Sequence, residues 1–252
     1  MRCATRDRVL AVVSHELRQP LNVIQMNAKL LTRLPASTAP THLRRIADAI
    51  QRAIESQARI INDLLDVSRV RTGKLTLHRA EVNFGKLVMD LVAALSANWS
   101  PGRVTTEVRA SSPLVCYADA LRLEQIVGNL LDNAVKFSPA GGRILVRLLS
   151  EGGFARISVV DCGRGIAPDF LPDVFGLFSQ AGASVGEGLH GGLGVGLALV
   201  HGLAAAHGGF VKATSAGINQ GAEFSVWLPL HPSATPADTS SAHADHSSIA
   251  SP

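Results

Sequence analysis

Cysteine is scarce in this chain of 252 residues. Cys3, Cys116 and Cys162 are odd in number and far apart, which argues against both a disulfide framework and a cysteine-based zinc site. A reduced, cytoplasmic setting is the plain expectation. No apolar run approaches the ~18–20 residues that a membrane helix needs, and no signal-peptide pattern opens the chain. Aromatic residues make up only 4%, too few to interleave with basic side chains and stack on bases. Lysine and arginine are absent from Gly165 to Val211. What is plentiful is apolar material, 46% of residues, enough for a sizeable core.

Charge is unevenly spread. Residues 1–79 carry 14 Lys and Arg against 6 Asp and Glu, and the remainder carries 10 against 14. A basic first third suits an acidic partner. Distributed along helical segments, the same charges also describe a solvated helical face. Among partners, an acidic protein is favoured over nucleic acid.

From Leu10 to Leu31 apolar residues fall at 10, 13, 17, 21, 24, 28 and 31, the three-four spacing of a helical seam. Leu43, Ile46, Ile50, Ile54, Ile61, Leu64 and Leu65 repeat it on a second helix. Between them LPASTAPT, with Pro35 and Pro40, reads as a short connection, and Gly73 supplies a stop. Two such helices cannot bury both seams alone, so a dimeric four-helix bundle is expected. Beyond residue 78 the texture becomes mixed. Helical patterns cover about 84–97, 119–136 and 195–207, with strand-like runs at RVTTEVRA, RILVRLLS, ARISVV, FVKATS and AEFSVWLP. Ser150 to Gly153 reads as a hairpin turn. The expected organisation is a helical domain over 1–78, an α/β domain over 79–230, and a disordered tail over 231–252 in which His231, His243 and His246 are too loosely placed for a metal site.

His15 lies within SHELRQPLNVI. On a helix it stands about 200° round from both Val13 and Leu17, so it points away from the apolar seam. A lone helical histidine is ordinarily unremarkable, but here Glu16 follows at once, able to orient the imidazole or take its proton. Pro20 interrupts the backbone ladder one turn later. Neutral imidazole is a competent nucleophile near pH 7.

Four further constellations follow. NLLDNAVKFSP sets Asn129 and Asn133 one helical turn apart, with Lys136 a further turn along, a set suited to phosphate oxygens and Mg²⁺. DCGRGI places Asp161 after a strand, able to accept from an adenine amino group, with Gly163 and Gly165 letting the backbone approach a ligand. VFGLFSQ supplies Phe175 and Phe178. GGLGVGLALV opens a helix with Gly192, Gly194 and Gly196, whose amides suit phosphate. Taken singly each has a plain alternative: a polar helix face, ordinary core, a turn, a glycine-rich helix start.

Jointly and in order, these motifs resemble those of bacterial two-component sensor histidine kinases, over roughly residues 5–230. SHELRQPLNVI is similar to the phosphoacceptor H box, and LLDVSRVRTGKLTL to the end of the dimerisation and phosphotransfer domain. The other four resemble the N box, first glycine box, F box and second glycine box of the ATP-binding domain, and GGFVKATSAGINQGAEFSVWLP its closing hairpin, with Ala222 where that family often has Thr. The resemblance implies a helical hairpin followed by an α/β sandwich of the histidine kinase, chaperone and topoisomerase type. It implies autophosphorylation of His15 from ATP with Glu16 as acid/base neighbour, and delivery to a response-regulator receiver domain. Gln19 matches the position that serves phosphoaspartate hydrolysis. Asn133 becomes the Mg²⁺ ligand, Asn129 and Lys136 its phosphate-side companions, Asp161 the adenine reader, and a mobile lid is expected before the second glycine box. Met1 stands only 14 residues before His15, so the chain reads as shortened or as taking its signal from another chain. The cation-poor stretch departs from the family's lids and leaves His190, His201 and His207 as the only groups there able to carry positive charge. A nucleotide-binding scaffold without catalysis and an ATP-driven clamp remain as other readings.

Overall fold

A computed structural model describes residues 2–35, 39–97, 99, 104–110, 114–179 and 193–230. The expected tail, most of the expected lid, Gly192 and His190 lie outside these described residues. Helices α1 (Arg2–Leu31) and α2 (Pro40–Arg71) pack side by side as a hairpin. Pro40 sits at the first position of α2, where its missing N–H costs nothing. α2 ends at Gly73, whose φ of 65° lets Lys74 donate back to the Arg69 carbonyl at 2.8 Å. α1 runs unbroken through Pro20. Pro20 has no N–H to offer the Glu16 carbonyl one turn back, so the ladder is interrupted beside His15. Leu21, Leu43, Ile54, Ile61 and Leu65, all seam residues, remain 41–50% exposed. No described helix is long and apolar enough to cross a membrane.

The rest of the described chain builds a two-layer α/β unit. A five-stranded sheet runs in the order β2 (Val104–Ala110), β4 (Gly142–Glu151), β5 (Phe154–Asp161), β7 (Ala222–Pro229), β6 (Phe210–Thr214). Only the β2–β4 pair is parallel. The β4–β5 hairpin turns at Gly152 and Gly153, both with positive φ as a two-residue hairpin loop demands. Helices α3 (Phe84–Ser96), α4 (Ala120–Phe137) and α5 (Gly196–Ala206) line one face. Along β4 Ile144, Val146 and Leu148 are fully buried while Arg143 and Arg147 face outward, the alternation of a half-covered sheet. Leu123, Ile126, Leu130, Ile157, Leu199 and Leu203 fill the space beneath the helices. Cys116 is buried there, and burial pushes its thiol up to about 11, which makes it a packing group.

A small second sheet pairs β1 (Ala80–Asn83) with β3 (Val115–Ala118), antiparallel. Each strand has four residues with Glu81 and Tyr117 turned outward, too short an alternation to stand out in the sequence. Packing also joins the helical hairpin to the α/β unit. Ile60, Leu64, Val67 and Val70, on the last turns of α2, join the core of the α/β unit. A Cβ added to Gly202 on α5 would lie 2.6 Å from a Val70 methyl carbon.

Candidate active site

His15 stands on the outside of α1 with 60% of its side chain exposed. Its Nδ1 lies 3.6 Å from Glu16 Oε1, a little beyond hydrogen-bond reach and close enough to orient the ring. Glu16 is better buried, at 16%, and its charge reaches Lys136 at the end of α4. Val13, two residues before His15, packs against the main core cluster. Gln19, half-buried, follows one turn along α1.

The start of α4 is held by Asp119, its N-cap, which accepts from the backbone N–H groups of Arg122 and His78. This fixes where Asn129, Asn133 and Lys136 emerge. Asn129 donates from Nδ2 to the Gln125 carbonyl at 2.9 Å and turns Oδ1 toward Gly196, where an added Cβ would come within 2.7 Å. Asn129 thus seats the first turn of α5 against α4. Asn133 lies half-buried on the same helix face. Lys136 has its ammonium 5.1 Å from the centre of the Phe137 ring. Burial lowers its pKa, with the Glu16 charge opposing and the nearby Arg164 charge assisting.

Asp161 ends β5, buried, with Oδ1 accepting from the Gly163 backbone N–H at 2.8 Å. Burial raises its carboxyl pKa against the lowering effect of backbone donors from Gly163 and Ala222. The glycines around it approach other parts of the chain. A Cβ on Gly163 would lie 2.5 Å from the Phe137 carbonyl oxygen, and one on Gly165 would collide with the Gly217 carbonyl. Both glycines let β5, α4 and the 217–221 turn close together. Phe178 has a φ of 61° and donates to the Gly194 carbonyl at 3.0 Å, while Gly194 lies against the Ser179 carbonyl. Phe175 meets Phe224 edge-on and lies beside His201, in the core layer.

The chain's similarities follow the same division. Residues 5–73 match the family described as His Kinase A (phospho-acceptor) domain. Residues 118–232 match that described as histidine kinase-, DNA gyrase B- and HSP90-like ATPase. The chain belongs to the sensor histidine kinases. It is 33% identical over 229 residues to the circadian input-output histidine kinase CikA of Synechococcus elongatus, covering 90% of this chain and 30% of that protein. It is 32% identical over 228 residues to the histidine protein kinase DivJ of Caulobacter vibrioides, covering 90% and 38%. The chain thus spans about a third of the length of these relatives. Among solved structures it resembles the Acinetobacter baumannii histidine kinase AdeS (TM-score 0.64, 22% identity, 86% of this chain and 98% of that one). It also resembles full-length ShkA in complex with AMPPNP (TM-score 0.62, 28% identity, 89% and 46%).

Three features of this kinase core escaped the sequence reading. Arg164 stands one residue before the cation-poor stretch, and its guanidinium carbon lies 4.0 Å above the Phe137 ring. His207 is no lid cation: it is buried, its Nε2 lies 3.1 Å from the Asp119 backbone N–H, and its Nδ1 meets the Leu203 carbonyl. A ring that accepts at one nitrogen and donates at the other is neutral, and burial lowers its pKa accordingly. The third is a polar cluster between α2 and α4. Gln125 Nε2 lies 3.3 Å from Asp63 and 3.1 Å from Asp66, Arg122 pairs with Asp66, and Arg59 with Asp132. Burial pushes the Asp63 carboxyl above its usual range. Charged residues four apart on α2 were visible in the sequence, but their partners some sixty or more positions away were not.

Proposed function

We propose that this chain transfers the γ-phosphoryl group of ATP to its own His15 and passes it to an aspartate of a response-regulator receiver domain. The observation that carries the reading is the exposed His15 beside Glu16, with Glu16 in turn facing the cationic end of α4. Nδ1 is the ring nitrogen nearer Glu16. A proton held there leaves the Nε2 lone pair free to attack. The nitrogen–phosphorus bond forms as the bond from γ-phosphorus to the bridging oxygen of ADP breaks, and the Nδ1 proton passes to Glu16. The protein's task is mainly to position the groups and neutralise charge.

In this reading Asp161 accepts from the adenine amino group, and Lys136 and Asn129 lie on the phosphate side. Gly163, Gly165, Gly194 and Gly196 shape the walls, and Phe178 borders the lid. Mg²⁺ takes an amide oxygen and phosphate oxygens and keeps several waters, and Asn133 on α4 would be its protein ligand. When bound, the ion neutralises phosphate charge. In the same reading Gln19 positions water for hydrolysis of the partner's phosphoaspartate. The exposed seam of Leu21, Ile54 and Ile61 fits a homodimeric bundle, so the full chain should sediment as a dimer and Ile54→Lys as a monomer.

Incubation of the full chain with γ-labelled ATP tests the proposal. Acid-labile, alkali-stable label is expected on the wild type and none on His15→Ala, which should still bind nucleotide. Label that persists in His15→Ala sinks the reading.

A further inference from the structure

We infer that Arg164 forms, with Lys136, a two-cation phosphate clamp on the ATP domain, taking the part of the lysine or arginine that the stretch from Gly165 to Val211 lacks. The inference rests on the ATP reading above and goes beyond it in naming a phosphate-binding residue. Three observations converge. First, the Arg164 guanidinium carbon and the Lys136 ammonium lie 4.0 and 5.1 Å from the centre of one ring, Phe137. Cation–π attraction holds each of them to that ring, and the Arg164 charge reaches Lys136. Second, among the described residues neither side chain has a carboxylate within salt-bridge distance, although eight other Arg and Lys residues do. Both residues are exposed, so an anion can reach them, and it relieves the repulsion of two like charges. Third, the pair is correctly placed. Arg164 lies between Gly163 and Gly165, next to the adenine-reading Asp161, and Lys136 ends the helix that carries Asn129 and Asn133. The Glu16 charge on the phosphoacceptor helix reaches Lys136.

Arg164 is the better half of such a clamp, because a guanidinium presents a planar set of donors matched to phosphate oxygens. The ring beneath it fixes the plane. A polyanionic nucleotide is the ligand class that fits, and the clamp should discriminate by phosphate count while leaving the base alone.

The test is calorimetric titration of the full chain with a non-hydrolysable ATP analogue, ADP and adenosine. Arg164→Met keeps an unbranched stem over Phe137 and removes the charge. It should weaken the ATP analogue and ADP roughly tenfold, the worth of one charge-assisted contact, and leave adenosine affinity unchanged. Arg164→Lys should fall between the two. An equal loss for adenosine and the ATP analogue would assign Arg164 to holding Phe137 in place and overturn the inference, as would no loss for either. A wild type that binds none of the three overturns the nucleotide reading and the inference with it. A melting curve identifies an unfolded Arg164→Met, in which case Arg164→Gln carries the same comparison.

Discussion

The Arg122 guanidinium on α4 lies 2.6 Å from the Asp66 carboxylate on α2, and the two side chains are only 15% and 8% exposed. Gln125 adds a second bond to the same carboxylate at 3.1 Å and Arg69 a third at 3.4 Å. This cluster ties the end of the helical hairpin to the ATP domain. Val67 and Val70 bury apolar surface alongside it.

Removing one member of a buried, hydrogen-bonded pair leaves the other charge uncompensated. Asp66→Ala should therefore cost roughly 3 kcal/mol of stability, and Asp66→Asn less, since its amide oxygen still accepts from Arg122. Urea unfolding of the full chain measures both. The double variant Asp66→Ala/Arg122→Ala should cost less than the sum of the single changes, and strict additivity would count against a direct pair.

His207 makes stability depend on pH in a definite direction. Its folded-state pKa lies below the unfolded value of about 6.5 because it is buried and neutral. The native state binds fewer protons there, so stability is fully present above pH ~6.5 and is lost as pH falls from there through the folded pKa. Asp119 facing the ring favours protonation, whereas Arg79 and Arg122 oppose it. Between pH 7.5 and 5.5 the wild type should lose more stability than His207→Gln, and parallel losses in urea midpoints would remove His207 from the account.

Asp161→Asn keeps an oxygen for the Gly163 backbone N–H, so the fold should survive with a melting temperature within a few degrees of wild type. ATP-analogue affinity should fall roughly tenfold, and the preference for ATP over GTP should shrink, because an amide can present either an acceptor or a donor to the base. Equal loss of both nucleotides by calorimetry would refute a role in reading adenine.

Gly73 and Gly165 have nearly the same φ, 65° and 66°, in different surroundings. A Cβ on Gly73 meets nothing within 4 Å, and one on Gly165 collides with the Gly217 carbonyl. Gly73→Ala should cost about 1 kcal/mol for the left-handed backbone alone. Gly165→Ala should cost at least ~2 kcal/mol more, since backbone on both sides must move. Similar unfolding midpoints for the two variants would show that the 217–221 turn yields freely.

Local chemistry made much of this protein legible from its residues alone. The three-four apolar spacing yields α1 and α2, and Gly73 ends α2 as expected because a positive φ at that position needs no tertiary context. The off-seam angle of His15 follows from helix geometry. The strands β4, β5 and β7 follow from alternation against a covered face. The one-turn spacing of Asn129 and Asn133 on α4 and the position of Asp161 at the end of β5 follow from helix-face and strand-to-turn patterns, which are short-range properties. Tertiary structure alone decided what lies across from them. β1 and β3 are strands only because they pair with each other. The glycines beside Asp161 face carbonyls of α4 and the 217–221 turn, which sequence spacing cannot reveal. His207 is neutral because folding brings the Asp119 amide and the Leu203 carbonyl to its two nitrogens. Arg164 lies over Phe137, 27 positions earlier, only because folding brings that ring beneath it. Short-range rules act through bonds and dihedrals that the chain carries with it, whereas charge pairing and burial act through space, and that space exists only once the sheet and helices have closed.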